Sequence, residues 1–148
     1  MIVIGVGNAW RGDDGCGLAV ARRIASAAPP GVQVAAHEGD GVRLIELWSG
    51  AAHAVVVDAA SSGAHPGTVH RFDAVAGPLP VASLRSSSHA FGVADAVELA
   101  RALGRLPARL DIYGIEGAAF GAGARLTPAV ADAVVALAAR LSRPAARA

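Results

Sequence analysis

Lysine is absent from this sequence, and cysteine occurs once, as Cys16. A single cysteine excludes an internal disulfide and a metal site built from several thiolates. The lack of lysine excludes a P-loop, whose lysine binds nucleotide phosphates. Thirteen arginines against twelve acidic residues give a net charge of +1, which provides no electrostatic reason to expect nucleic acid as a partner.

Long hydrophobic runs and a signal-peptide pattern are also absent. No stretch reaches the roughly 18 charge-free apolar residues of a membrane helix. The N-terminus lacks a basic segment, and its apolar run is too short for a signal peptide. We therefore expect a cytoplasmic protein that does not associate with a membrane.

The composition is that of a folded domain, because 53% of the 148 residues are apolar and the mean hydropathy is +0.45. A chain of this length normally buries a hydrophobic core, and we expect one domain over residues 1–148. Short apolar runs alternate with helical patterns, which favours an α/β layered fold. The predicted strands are MIVIGV, VQVAAHE, AAHAVVVDAA, TVHRFD and RLDIYGIE, and the predicted helices include HAFGVADAVELARAL and TPAVADAVVALAARL. TVHRFD has the alternation of an edge strand.

The loop GVGNAWRGDDGCG follows the first strand and is rich in glycine. It fails as a dinucleotide fingerprint because Trp10 stands where the third glycine is needed. Asp13 and Asp14, placed at the start of a helix, would also repel phosphate. We expect Asp13 to cap the helix and Asp14 to point into the crevice beyond the sheet.

Ligands of open α/β sheets bind beyond the carboxyl ends of the parallel strands. Asp14 follows the first predicted strand, and Asp58 ends the third. Glu38 and Asp40 follow the second strand, and His89 stands at the entry of a helix. The set of Asp14, Asp58 and His89 suits a divalent ion such as zinc or nickel, with open positions for water or substrate.

Four segments resemble the hydrogenase maturation proteases, in the order in which that family has them. The segments are GVGNAWRGDDGCG, VVVDAASSGAHPGTV, SSSHAFGVADAVELA and YGIEGAAFGAGARLTPAVADAV. The resemblance spans nearly the whole chain. It implies a three-layer α/β/α fold with a mostly parallel twisted sheet of about five strands.

The resemblance also implies an activity: an endopeptidase that removes the C-terminal extension of a hydrogenase large-subunit precursor after nickel insertion. The catalytic, metal-contacting positions of the family fall on Asp14, Asp58 and His89. The nickel is expected to arrive with the substrate, so that no tightly bound cofactor of the protein's own is expected. Glu38 is preferred over Asp40 as a substrate contact in the second acidic loop. The protein is expected to act as a monomer.

The loop around Gly7 and Asn8 is a candidate for positioning the peptide or stabilising an oxyanion. Trp10 is either a rim contact for that peptide or a packed loop residue.

Besides cleavage of some other protein by a diverged relative of the family, two other functions remain open at this point. One is a metal-independent hydrolase that uses a serine of 86–88 with His89 and Asp58, although the sequence has no G-x-S-x-G motif. The other is a nickel-binding maturation factor without catalytic activity on the same fold, because the fold alone does not determine the function.

Overall fold

The structure is a computed structural model and describes residues 1–38, 41–80, 84, 85 and 91–143. In this part of the chain, five strands form one sheet. The strands are β1 (Ile2–Val6), β2 (Gln33–His37), β3 (His53–Ala60), β4 (Val69–Asp73) and β5 (Arg109–Glu116). The α-helices are α1 (Cys16–Ala27), α2 (Leu44–Trp48), α3 (Val93–Leu103) and α4 (Pro128–Leu141). Short 3-10 helices at Gly12–Gly15 and Gly41–Arg43 precede α1 and α2.

The sheet has the strand order β2-β1-β3-β5-β4 and is mostly parallel. β1 pairs in parallel with β2 and β3, and β3 pairs in parallel with β5. β4 lies antiparallel to β5 at one edge, where its side chains are partly exposed. The predicted mostly parallel sheet and the predicted edge strand are both confirmed.

Hydrophobic side chains cover both faces of the sheet, which makes the fold a three-layer α/β/α sandwich as predicted. On one face, Ile4 and Val56 pack in a cluster with residues of α2 and α3. On the other face, Val3, Val55 and Val57 pack in a cluster with residues of α1 and α4. Neighbouring residues of a strand point to opposite faces, so strands covered on both sides must be apolar at every position.

Two glycines let α1 begin directly against the ends of the strands. A Cβ at Gly17 would lie 2.2 Å from the Val57 carbonyl oxygen and 2.5 Å from that of Val6. A Cβ at Gly5 would lie 2.2 Å from the carbonyl oxygen of Gly17. Any side chain at these positions would push the helix away from the sheet. The close approach brings the residues before α1 to the carboxyl ends of β1 and β3.

The helix predicted over HAFGVADAVELARAL begins later than expected. Gly92 is extended, with φ −97° and ψ −170°, and α3 starts at Val93. The Asp95 carboxylate accepts a hydrogen bond from the Gly92 N–H at 2.9 Å, which caps the helix at this point. His89 lies outside the described residues.

Within the described ranges, no helix has both the length and the apolar character needed to cross a membrane.

Candidate functional site

The candidate site lies at the carboxyl ends of the parallel strands. Asp14 belongs to the 3-10 helix that joins β1 to α1, and its side chain is buried. Asp58 belongs to β3 and is also buried, with 1% of its surface exposed. The 3-10 helix contacts β3, so the structure brings these two elements together. Glu38 directly follows β2, at the outer strand of the sheet, and is exposed.

Asp58 lies inside its strand, although the sequence predicts that it ends the strand. β3 continues to Ala60, and Asp58 pairs with Gly114 of β5. One carboxylate oxygen accepts a hydrogen bond from the Ala59 N–H at 2.8 Å. An ionised carboxylate buried within a strand is costly to desolvate, so its retention there favours a functional role over a structural one.

The position of Asp14 is fixed by the backbone of the loop that precedes it. The Asn8 N–H donates to the Asp14 carbonyl at 3.2 Å, and the Asp14 N–H donates to the Arg11 carbonyl at 3.1 Å. Gly7 has φ +148°, and a Cβ there would lie 2.0 Å from the Asp14 carbonyl oxygen. Glycine is therefore required at position 7 for the loop to close on Asp14.

The buried thiol of Cys16 shows that the carboxylates gather in one region. Burial raises the pKa of this thiol well above its ordinary value, and the charges of Asp58, Asp13 and Asp14 raise it further. Each of the three carboxylates is thus close enough to Cys16 to disfavour a second negative charge. A fully buried thiol with a raised pKa is a poor nucleophile, so Cys16 lacks the features of a catalytic cysteine.

Asp13 does not cap the helix, and this prediction is wrong. Its carboxylate instead accepts hydrogen bonds from the loop after β5 and from the start of α4. The donors are the N–H groups of Ala118, Ala119 and Thr127 and the Thr127 hydroxyl, at 2.7–3.0 Å. Burial raises the pKa of Asp13, but these hydrogen bonds outweigh it and lower the pKa overall. Asp13 therefore fastens two loops that are far apart in sequence.

Arg85 is a residue of this region that the sequence did not indicate. Its Nε lies 3.8 Å from Oδ1 of Asp14, and its guanidinium carbon lies 4.1 Å from the centre of the Phe120 ring. The only local signal is that Arg85 stands four residues before His89. Its partners, Asp14 and Phe120, belong to distant segments of the chain.

The amides around Gly7 are engaged within the protein. The Gly7 N–H donates to the His37 carbonyl at 3.3 Å, which extends the pairing of β1 with β2. The Asn8 side-chain oxygen accepts a hydrogen bond from the Trp10 N–H at 2.9 Å. With the Gly7 and Asn8 amides bonded internally, neither is directed at an oxyanion in this structure. The role of Gly7 and Asn8 in positioning a peptide stays a prediction.

Trp10 is not a packed loop residue, since 77% of its surface is exposed. The loop that carries it is nevertheless held in place, because the Gly123 N–H donates to the Trp10 carbonyl at 2.7 Å. An exposed tryptophan on a fixed loop near Asp14 fits the alternative of a rim contact.

His89, Ser86–Ser88 and Asp40 lie outside the described residues, so the structure does not place them. The described ranges alone contain no group of three or more histidine, cysteine, aspartate or glutamate side chains able to hold a metal ion. The predicted ligand set is therefore represented in the described part by Asp14 and Asp58. The third ligand, His89, stays a prediction.

Two other histidines pair with buried carboxylates of β5. His53 lies 2.8 Å from Asp111, and His70 lies 3.2 Å from Glu116. Glu116, at the end of β5, also accepts hydrogen bonds from the N–H and the hydroxyl of Ser62. The pKa of Glu116 is raised by burial and lowered more strongly by these contacts with Ser62 and His70. This cluster fastens the segment between β3 and β4 to the end of β5.

Comparison with known proteins identifies the family. The model of the family described as HycI, hydrogenase maturation protease, matches residues 23–143. The chain belongs to the hydrogenase maturation protease family. The match includes Asp58 and Arg85 and begins after Asp14.

Individual members of the hydrogenase maturation protease family are also similar to the chain. The hydrogenase expression/formation protein HupD of Rhodobacter capsulatus is 30% identical over an alignment of 139 residues that covers 90% of this chain and 65% of that protein. This chain thus spans slightly less than two thirds of the length of that relative. The [NiFe] hydrogenase maturation protease HybD from Thermococcus kodakarensis is 27% identical, with 96% of this chain and 98% of that chain covered and a TM-score of 0.74. The hydrogenase maturating endopeptidase HybD from E. coli shares the fold at 22% identity, with 95% and 88% covered and a TM-score of 0.77.

Proposed function

We propose that this protein is an endopeptidase that removes the C-terminal extension of a nickel-containing hydrogenase large-subunit precursor after nickel insertion. The observation that carries the proposal is the burial of two carboxylates, Asp14 and Asp58, at the carboxyl end of the sheet. Membership of the hydrogenase maturation protease family supports the substrate class.

In this proposal the nickel belongs to the substrate, and Asp14, Asp58 and His89 contact it. Carboxylate oxygens and an imidazole nitrogen are suitable ligands for divalent nickel. A divalent ion offsets the cost of keeping two carboxylates ionised in a buried site. A precursor without nickel brings no such compensation and binds less well. A metal ion held in this way can also polarise a peptide carbonyl.

The other proposed substrate contacts lie around these carboxylates. Asn8 and Gly7 border Asp14 in the loop after β1, and Trp10 projects from the same loop. Glu38 follows β2 and would contact a more distant part of the precursor. We further expect the protein to work in the cytoplasm as a monomer, which light scattering coupled to size-exclusion chromatography would test.

The direct test is to incubate the purified protein with nickel-loaded and nickel-free precursor and to follow the loss of the C-terminal extension by mass spectrometry. We expect cleavage of the loaded form alone. The variant His89→Ala should abolish cleavage with an unchanged melting temperature, while Asp132→Asn, an exposed aspartate of α4, should cleave normally. Nickel-dependent binding without cleavage would instead favour the maturation factor without catalytic activity.

A further inference from the structure

We propose that Arg85 limits the binding of free divalent ions at this site. In the substrate-free protein it acts as the counter-ion of Asp14 and disfavours divalent ions that do not arrive with the precursor. This inference rests on the proposed function only in taking Asp14 as a metal-contacting residue.

The charge of Arg85 lies next to a buried carboxylate. Nε of Arg85 is 3.8 Å from Oδ1 of Asp14, with 29% of the arginine side chain and 9% of the aspartate side chain exposed. At such partial burial the attraction between opposite charges is much stronger than in water. The distance between these two atoms exceeds that of an N–H···O hydrogen bond, so this contact is an ion pair that a stronger cation can replace.

The guanidinium is held in place by an aromatic ring. Its central carbon lies 4.1 Å from the centre of the Phe120 ring, within the range of a cation–π contact. Phe120 packs so closely on Gly117 that a Cβ there would lie 2.5 Å from its ring. The same loop is fixed by Asp13, which accepts hydrogen bonds from the Ala118 and Ala119 N–H groups. Arg85 is thus positioned by packing and not only by its attraction to Asp14.

The two adjacent aspartates therefore have linked roles. Asp13 fixes the loop that carries Phe120, and Phe120 positions the cation that faces Asp14. A divalent ion that binds Asp14 must either displace Arg85 or tolerate a like charge a few ångströms away. A free ion has only its bonds to the ligands to offset this cost. A metal carried by the precursor also has the contact surface of the precursor, so it can displace Arg85 where a free ion cannot.

The test measures the binding of Ni²⁺ alone to the tag-free protein, without precursor, by isothermal titration calorimetry at low ionic strength. We expect Arg85→Gln to bind Ni²⁺ about tenfold more tightly than the wild type, because a competing positive charge is removed. Arg85→Lys should remain close to the wild type. Arg140→Gln, the matched control, removes an arginine at the far end of α4 and should leave the affinity unchanged.

A double-mutant cycle links the effect to Asp14. In the Asp14→Asn background, Arg85→Gln should give no gain in affinity. The gain in the parent background should also shrink at high salt, because screening weakens the repulsion that Arg85 exerts. Neither result would come from a purely structural role of Arg85, and the melting temperature of each variant verifies that it is folded.

Three results would overturn the inference: a folded Arg85→Gln variant with wild-type affinity, a variant without measurable Ni²⁺ binding, or an equal gain in the Asp14→Asn background. The precursor is absent from the titration, so its outcome is independent of whether the protein cleaves a precursor. If the protein cleaves the precursor normally but Arg85 has no effect on Ni²⁺ affinity, only the inference about Arg85 is contradicted. If the affinities are as expected but the protein cleaves no precursor, only the proposed peptidase activity is contradicted.

Discussion

The two ends of the sheet both bury carboxylates, but they surround them differently. At the amino end, Asp111 contacts His53 and Arg71 at 2.8 Å each and Arg109 at 3.3 Å. At the carboxyl end, the ion pair of Asp14 with Arg85 measures 3.8 Å. The carboxylate at the amino end is held by short contacts to a histidine and two arginines. The longer ion pair at the other end is suited to exchange one cation for another.

The carboxyl end itself contains both kinds of carboxylate. Asp13 accepts four hydrogen bonds and Glu116 contacts Ser62 and His70, and both residues fasten loops. In the proposed function Asp14 and Asp58 contact the metal, so that stability and function would be divided among neighbouring acidic residues, down to the adjacent pair Asp13 and Asp14. Each variant below tests that division.

The largest effect is expected from Asp58→Asn. If Asp58 contacts the metal as proposed, loss of its charge should lower the rate of precursor cleavage by at least about 100-fold. The free energy of unfolding should change little or increase, because a costly buried charge is removed. Cleavage kinetics and urea unfolding of the same preparation provide the two values. A variant that unfolds more easily but cleaves normally once folded would show that Asp58 has a structural role.

Asp13→Asn should show the opposite pattern. The asparagine side chain would turn its NH₂ group towards one of the N–H groups of Ala118, Ala119 or Thr127, and that N–H would lose its acceptor. We therefore expect the free energy of unfolding to fall by about 3 kcal/mol. Urea unfolding at pH 7 measures this value. The variant Asp95→Asn, which weakens a single cap of α3, is the matched control and should cost about 1 kcal/mol. An equal cost for the two variants would contradict the fastening role of Asp13.

Asp111→Asn should cost about 2 kcal/mol at pH 7 and leave cleavage by the folded protein unchanged. Burial raises the pKa of Asp111, but the contacts with His53, Arg71 and Arg109 lower it more strongly, so its folded pKa lies below the unfolded value. Its stabilising contribution is therefore complete above the unfolded pKa of about 3.9 and is lost as the pH falls through the folded pKa.

The difference in stability between the wild type and Asp111→Asn should accordingly shrink as the pH falls below about 4, a bound taken from the ordinary pKa of aspartate. Urea unfolding at several acidic pH values measures it. A difference that does not shrink over this range would mean that Asp111 is not stabilised as the charged form.

The smallest effect is expected from Trp10→Ala. As a rim contact, Trp10 should contribute to binding the precursor but not to the cleavage step. We expect KM to rise about fivefold with kcat unchanged, corresponding to a loss of about 1 kcal/mol. Stability should not change, because the side chain is exposed. An unchanged KM would leave Trp10 without a role at the site.

Much of the fold could be predicted from local patterns. The segments AAHAVVVDAA and TPAVADAVVALAARL, predicted as a strand and a helix, contain β3 and α4. The predicted strand ends at Ala60, as β3 does, and only the placement of Asp58 at the strand end was wrong. Pairing with Gly114 of β5 keeps Asp58 inside the sheet.

The site was only partly predictable, because its decisive contacts join distant parts of the chain. The local sequence gives no firm basis for assigning different roles to Asp13 and Asp14. The difference comes from the hydrogen bonds that Asp13 accepts from Thr127 and from the loop after β5. The role inferred for Arg85 depends on its contacts with Asp14 and Phe120, neither of which is near it in sequence. Long-range hydrogen bonds and ion pairs of this kind leave no periodic signal in a sequence.

The most direct test of the central claim, that the buried carboxylates at the carboxyl end recognise nickel, is the ratio of cleavage rates for nickel-loaded and nickel-free precursor. It should be measured for the wild type and for Asp14→Asn at equal concentrations of folded enzyme. We predict a large ratio for the wild type and a ratio near one, at a low overall rate, for Asp14→Asn. If Asp14→Asn keeps the wild-type ratio, Asp14 does not recognise the metal and the account is wrong.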